Sequence, residues 1–504
     1  MNTTAMSPRD QVGRQVRRGL SWNLAGAVAT NAMRIVVLAV LGRALTPSDF
    51  GIVAAAVSVN VIFFGIRDIG IGRALVQRPN LDDGHLTTTF AVQIYLGLSL
   101  TTLLVLSAPL IGRFFGISAS VDVLRALAAL FLLRGLASTS RMITEREMRF
   151  RASAIIDAGT FALGSIASMA TAVAGAGPWA LVIGYIVEEG LATVSYLIVS
   201  PPKLSLRVDR TRLRELMSFG TGQTITQMAG VLATYGDNVV VGNVLGPRAL
   251  GFYARAYDLI KLPSFIFEAV VAKVLFPAFS RIQDERERLA IACRRGKFAN
   301  AIVLLPASAV LIVVAPEVIR ILVGDGWGSS VLPLRILAVT VLPRTSQKLS
   351  AIITQAAGRA NAVAFAYVIY MIIVIGGAAI TSRWGIPGVA ASTALAIIVV
   401  YSQSTFYAMQ VCRLSLGELF RAHVPGLVLS GLVMAVALPV ADALRARGAG
   451  PAIIVLAVVA AGLAPYLVVI AAWLRRGHGD FAWLRGELRR VWRMMRPGGA
   501  RGPG

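Results

Sequence analysis

The sequence predicts an all-α integral membrane protein with about fourteen transmembrane helices. They form two parallel six-helix halves around a central cavity, with two further helices at the C-terminus. Three observations predict this. The chain is 56% hydrophobic and 15% charged over 504 residues, whereas soluble domains carry about 25% charge. Its apolar residues gather in windows near the ~20 residues that a helix needs to cross a bilayer. Basic residues fall between those windows with an alternating bias, as in proteins that mark their cytoplasmic loops. The net charge of +24 therefore reads as membrane topology, and no nucleic-acid partner is expected.

The elements follow in order. A basic run (Arg9, Arg14, Arg17 and Arg18) precedes a first window, 20–41, that is too long for a signal-peptide core and reads as an uncleaved helix. Windows at 51–72, 87–111, 121–140, 153–175 and 178–199 complete an N-terminal half, 1–205. The second half, 206–415, holds windows at 217–244, 249–279, 297–323, 331–356, 361–382 and 386–411. Two extra spans, 424–444 and 451–474, lie in 416–474. With the N-terminus inside, the even-numbered loops are cytoplasmic and the more basic; one holds Arg141, Arg146, Arg149 and Arg151. Both termini are then cytoplasmic. The outer loops, such as 174–178, 245–251 and 382–388, are too short for a folded domain.

The tail, 475–504, repeats Phe481, Leu484, Leu488, Val491, Trp492 and Met495 at helical spacing, and arginines fill much of the other face. It reads either as a helix on an anionic membrane surface or as a basic tail that only fixes topology. Cys293 and Cys412 lie far apart in the chain, near expected cytoplasmic loops, so no disulfide framework is expected.

An internal repeat supports the two halves. Phe50-Gly51 before span 2 pairs with Leu250-Gly251 before span 8, and Leu41-Gly42 pairs with Leu245-Gly246 after a short gap. At an offset of 200, Asp68 pairs with Glu268 and Arg73 with Lys273. An even number of helices separates the copies, so they share one orientation. Parallel repeats place substrate between the halves, near the midplane.

Charge inside the spans locates the candidate site. The stretch GFYARAYDLIKLP (251–263) carries Arg255, Asp258 and Lys261, and Glu268 and Lys273 continue the same side of the helix. Intramembrane charge is costly and normally faces a bundle interior or a wet cavity. Span 7 places Gln223, Gln227, Asp237 and Asn238 on one face, span 2 adds Asp68 and Arg73, and span 1 adds Arg34. These twelve residues are the candidate lining of a cavity built on spans 1, 2, 7 and 8. The bland alternative is local neutralisation of Asp258 by its i,i+3 neighbours Arg255 and Lys261. The basic excess suits a phosphate or diphosphate. The amides of span 7 suit sugar hydroxyls, and the acids are counter-charges or sites for a coupling proton or sodium ion.

No P-loop, HExxH or GxSxG motif occurs, and the histidines have no metal-ligand spacing, so neither an enzyme nor a metal or cofactor site is expected. Asp82-Asp83 reads as a solvated turn.

Three stretches carry a family resemblance. WNLAGAVATNAMRIVVLAVLGRALTPSDFGIVA (22–54), RDIGIGRALVQ (67–77) and YGDNVVVGNVLGPRALGFYARAYDLIKLP (235–263), the last followed by VLFPAFSRIQDERERL (274–289), resemble bacterial polysaccharide and O-antigen repeat-unit flippases. The branch is the colanic-acid-exporter type of the multidrug/oligosaccharidyl-lipid/polysaccharide exporter superfamily. The resemblance implies alternating access in a bacterial inner membrane. It also implies a polyprenyl-diphosphate-linked oligosaccharide cargo moved to the periplasmic leaflet, with a polysaccharide polymerase and glycosyltransferases as partner enzymes. The alternatives are a cation-coupled multidrug exporter of that superfamily, a membrane glycan polymerase or ligase, and a membrane scaffold.

Overall fold

A computed structural model describes residues 26, 30–67, 82–117, 119–217, 221–261, 286–477 and 479–495. Among these residues there are helices and no strand. The N-terminal half contains α1 (30–44), α2 (Pro47–Arg67), α3 (Asp83–Phe115), α4 (Ala119–Arg146), α5 (Phe150–Val173) and α6 (Trp179–Val199). A short linker helix α7 (Arg210–Met217) leads to α8 (Thr221–Val244) and α9 (246–261). Then come α10 (Arg286–Val313), α11 (Ala315–Leu322), α12 (Val331–Ala338), α13 (Val341–Ala356), α14 (Ala360–Thr381) and α15 (Gly385–Cys412). The last described helices are α16 (Leu416–Ala446), α17 (Pro451–Arg476) and α18 (Asp480–Met495).

Each expected window overlaps a helix, but the count of fourteen spans is not established. Among the described residues, eight helical stretches are long and apolar enough to cross a membrane, or nine if the bent pair Asp325–Ala338 and Val341–Ala356 is one span. One of the eight, Ala360–Cys412, is folded back at Ser382–Trp384 into α14 and α15, which pack together. The windows that fall short have physical reasons. α4 carries Asp122, Arg125, Arg134 and Arg141, and α8 is rich in amides and hydroxyls. Helices α1 and α9 run into residues outside the described set.

Helix ends are set by local chemistry. Asp82 caps α3, its Oδ1 accepting from the His85 amide at 2.9 Å, and Gly116 at φ +64° closes that helix. The Asp82-Asp83 pair is therefore a cap, and not a free turn. It also anchors the linker between the halves. Arg212 pairs with Asp82 at 2.5 Å, Lys203 pairs with Asp83, and the buried His85 ring bridges Asp82 (2.6 Å) and Glu215 (3.1 Å). Tyr95 of α3 adds a hydrogen bond to the Leu206 carbonyl at 3.0 Å.

At the opposite end the two copies of the repeat meet. A Cβ on Gly51 would overlap the Pro247 carbonyl, and a Cβ on Gly251 would overlap the Pro47 carbonyl. Residues 200 apart thus make the same contact twice, related by a pseudo-two-fold axis. Only glycine permits so close a backbone approach. Trp327, in the short helix Asp325–Ser330, plugs this seam. It is fully buried, donates from Nε1 to the Gly42 carbonyl at 2.9 Å, and meets Phe50 and Phe252 edge-on at 5.3 and 5.9 Å. Nothing in the windowed reading of the chain marks this tryptophan, which sits in a loop there.

The remaining helices pack around the second half. α16 lies along α10, and α17 lies on α16. The tail helix α18 is not simply laid on lipid. Its Phe481 packs on Phe298 (4.9 Å) and Trp473 (5.0 Å), and Asp480 pairs with Arg294 at 3.0 Å. Cys293 and Cys412, distant in sequence, share one buried cluster as free thiols.

Candidate translocation cavity

A cavity of about 620 Å³ opens between the halves, walled by α1, α2, α4, α5, α6, α8, α9 and α13. Helix periodicity explains how the chain aims its polar groups there. On α9, positions 255, 258 and 261 are spaced by three, so they share one side while Ile260 and Ala256 turn into the core. On α6, Glu188 reaches the cavity because α5 and α6 touch through small residues: a Cβ at Gly164 would collide with Glu188 and the Gly184 carbonyl.

Five of the twelve candidate residues line the cavity: Arg34, Asn238, Arg255, Asp258 and Lys261. Asp258 sits between Arg255 and Lys261, 3.0 Å from each. The local ion pairing and the cavity position therefore hold together. The cations also rest on aromatic faces. Arg255 lies 4.5 Å from the Phe50 centroid, Lys261 4.8 Å from Tyr257, and Arg34 5.4 Å from Phe161. Among the described residues, Arg34 pairs with no carboxylate.

Two candidates are corrected. Asp237 and Gln227 are not among the cavity's lining residues. Asp237 is wholly buried and accepts from the Tyr253 hydroxyl at 2.5 Å and the Asn238 amide at 2.8 Å, with Thr393 at 3.3 Å. It ties α8 to α9 and α15, because a buried carboxylate must satisfy its lone pairs within the protein. Gln227 is half-buried near the start of the same helix. Asp68, Arg73, Glu268 and Lys273 lie outside the described residues, as does the side chain of Gln223.

Five charged groups outside the sequence candidates line the cavity: Arg134, Glu188, Glu189, Arg344 and Lys348. Glu189 is held by Arg134 at 2.8 Å and Arg141 at 2.9 Å. Arg344 donates to the Tyr257 hydroxyl at 2.5 Å. Their charge within windows 4, 6 and 10 is legible in the sequence, but a cavity built on spans 1, 2, 7 and 8 leaves them out of the lining. In all, six cations face three carboxylates across the cavity. Tyr185, Tyr235, Ser165, Thr234 and Asn31 add hydroxyls and an amide.

A helical bundle with a charged cavity walled by helices from both ends of the chain is an architecture suited to a membrane transporter. Solved structures share this fold. The lipid II flippase MurJ in an inward closed conformation matches with TM-score 0.72 at 14% identity, over 90% of this chain and 99% of that one. An inward-facing multidrug resistance MATE family transporter of the MOP superfamily matches with TM-score 0.59 at 16% identity, over 78% and 94%.

The family model for polysaccharide biosynthesis proteins matches residues 40–332, and the chain belongs to that family. Among its relatives are the lipopolysaccharide biosynthesis protein WzxC of Escherichia coli K12, 23% identical over 65% of this chain and 67% of that protein. The teichuronic acid biosynthesis protein TuaB of Bacillus subtilis 168 is 25% identical over 69% and 73%. The succinoglycan biosynthesis transport protein ExoT of Rhizobium meliloti 1021 is 24% identical over 64% and 66%.

Proposed function

We propose that this protein flips a polyprenyl-diphosphate-linked oligosaccharide from the cytoplasmic to the periplasmic leaflet of a bacterial inner membrane, for export of a polysaccharide. The observation that carries the reading is the cation excess between the halves, with Arg34 from one half facing Arg255 and Lys261 from the other. A diphosphate is the anion that arginine and lysine grip well, and the hydroxyls and amides around it suit sugars. The halves 1–205 and 206–415 rock about the cavity, both termini lie in the cytoplasm, and the Gly51–Gly251 seam is the periplasmic seal. Glycosyltransferases supply the cargo and a polymerase consumes it.

A cation-coupled drug exporter is disfavoured by the same geometry, since Asp258 and Glu189 are each already held by two cations.

In a deletion strain, lipid-linked oligosaccharide is expected to accumulate in the cytoplasmic leaflet. Wild type rescues, and Arg34→Ala or Arg255→Ala at normal protein level rescues by less than about a tenth, the loss of one charge-assisted contact costing about 1.5–3 kcal/mol. Full rescue by both variants would remove the cavity from the mechanism.

A further inference from the structure

A second polar site lies behind α13. On this helix Arg344 and Lys348 face the cavity, while Ser346 and Ser350 lie on the opposite side. Lys297 of α10 faces that second side. It has no exposed surface, and its Nζ donates to Ser350 Oγ at 2.7 Å and Thr405 Oγ1 at 2.8 Å. The ammonium sits 4.7 Å from the Tyr401 ring centroid. Among the described residues no carboxylate pairs with it. The titratable groups around it are Cys293 on α10, Tyr401 and Cys412 on α15, and His423 on α16, whose ring meets the Tyr401 hydroxyl at 2.9 Å. From α13 the facing side chains are neutral hydroxyls. Asn300 Oδ1, Gln347 Oε1 and Ser404 Oγ, on the same three helices, are buried without a hydrogen-bond partner.

Burying an ammonium without a counter-charge costs several kcal/mol. A site that only needed to hold three helices together would do so with a neutral amide. What the neutral surroundings permit is exchange. Ser350 and Thr405 hydroxyls can donate or accept, so both the ammonium and the free amine keep two bonds. We propose that Lys297 is a proton-binding site coupled to transport. In one state its N–H bond breaks, the electron pair stays on nitrogen and the proton leaves to water; in the other the amine takes a proton back. Helix α13 provides the coupling, because it carries like charge on its cavity side. An anion in the cavity screens Arg344 and Lys348 and favours the charged lysine, and by linkage a charged lysine favours the anion. This step rests on the transporter reading for its consequence, not for its test.

The test uses the full-length protein in lipid nanodiscs with spin labels on Ala174→Cys and Arg383→Cys, exposed positions in the two halves. The native cysteines are buried. Distance distributions are recorded from pH 5.5 to 8.5 without cargo. Two populations are expected to exchange with pH. Lys297→Gln abolishes the response, and Lys297→Arg holds the low-pH population throughout. Should neither variant fold, Ser350→Ala removes one bond to the ammonium, weakening proton affinity by about tenfold, and shifts the midpoint down by about one pH unit. Added undecaprenyl diphosphate moves the midpoint up. A wild type indifferent to pH, a response that survives both lysine variants, or an unmoved midpoint in folded Ser350→Ala overturns the proposal. Failure of the leaflet assay alone leaves this result standing, so the two readings fail separately.

Discussion

At the scale of single residues, the Arg255–Asp258–Lys261 triplet shows what sequence can and cannot convey. Its i,i+3 spacing predicts both the shared face and the local pairing, and the structure contains both. Asp237 looked equivalent, yet its partners Tyr253 and Thr393 come from other helices. No periodicity on α8 could reveal them. The same holds for Glu189, whose arginines stand on α4. Intramembrane charge thus signals burial in the bundle, and only the third dimension separates a cavity wall from a tether. Asp258→Asn tests the wall. Without that carboxylate the two cations act on the cargo undiminished, so undecaprenyl diphosphate should bind about tenfold tighter while export falls through slow release. Unchanged affinity, measured by calorimetry in nanodiscs, would turn the triplet away from the cargo. Trp327→Ala should cost about 3 kcal/mol of stability by emptying the seam, read as a drop in unfolding temperature in detergent.

At the scale of elements, helices and their ends were legible where the pattern is local. Windows, caps and the Gly51/Gly251 correspondence are all written along the chain. What the halves do with that correspondence was not, because a reciprocal backbone contact needs both copies in place. Gly51→Ala or Gly251→Ala should wedge the seam apart, shifting the labelled pair at 174 and 383 to longer distances and abolishing export. An unshifted distribution would show that the seam tolerates a methyl group. The linker strap makes a pH prediction. The His85 backbone amide, together with the ring and Arg212, holds the Asp82 carboxyl below its ordinary range, against a smaller opposing effect of desolvation. A depressed carboxyl contributes stability above its unfolded value and loses it as pH falls through the folded one. Below about pH 4, hydrogen exchange in 203–217 should therefore quicken, and Asp82→Ala should quicken it at neutral pH. Equal protection in the variant would sever the linker from this cap.

For the whole molecule, composition and recurring apolar windows point to a multi-helix membrane protein, and the repeat's glycines are met again in the reciprocal contacts of Gly51 and Gly251. The number of crossings was harder to read. Among the helices that wall the cavity, α2, α5 and α6 are long and apolar enough to cross a membrane, whereas α4 and α8 trade apolar side chains for polar ones such as Arg134 and Asn238 and fall short.

The cation excess of the cavity has an electrical consequence. The empty cavity carries six cations against three carboxylates, and the proposed diphosphate cargo would bring it close to neutrality. A membrane polarised negative inside would act on the first and largely ignore the second. Each elementary charge moved through the full field is worth about 2.3 kcal/mol per 100 mV. The voltage would therefore pull the unloaded carrier back toward the cytoplasm and leave the loaded one free to turn outward, making the return of the empty protein the step that the cell's membrane potential drives.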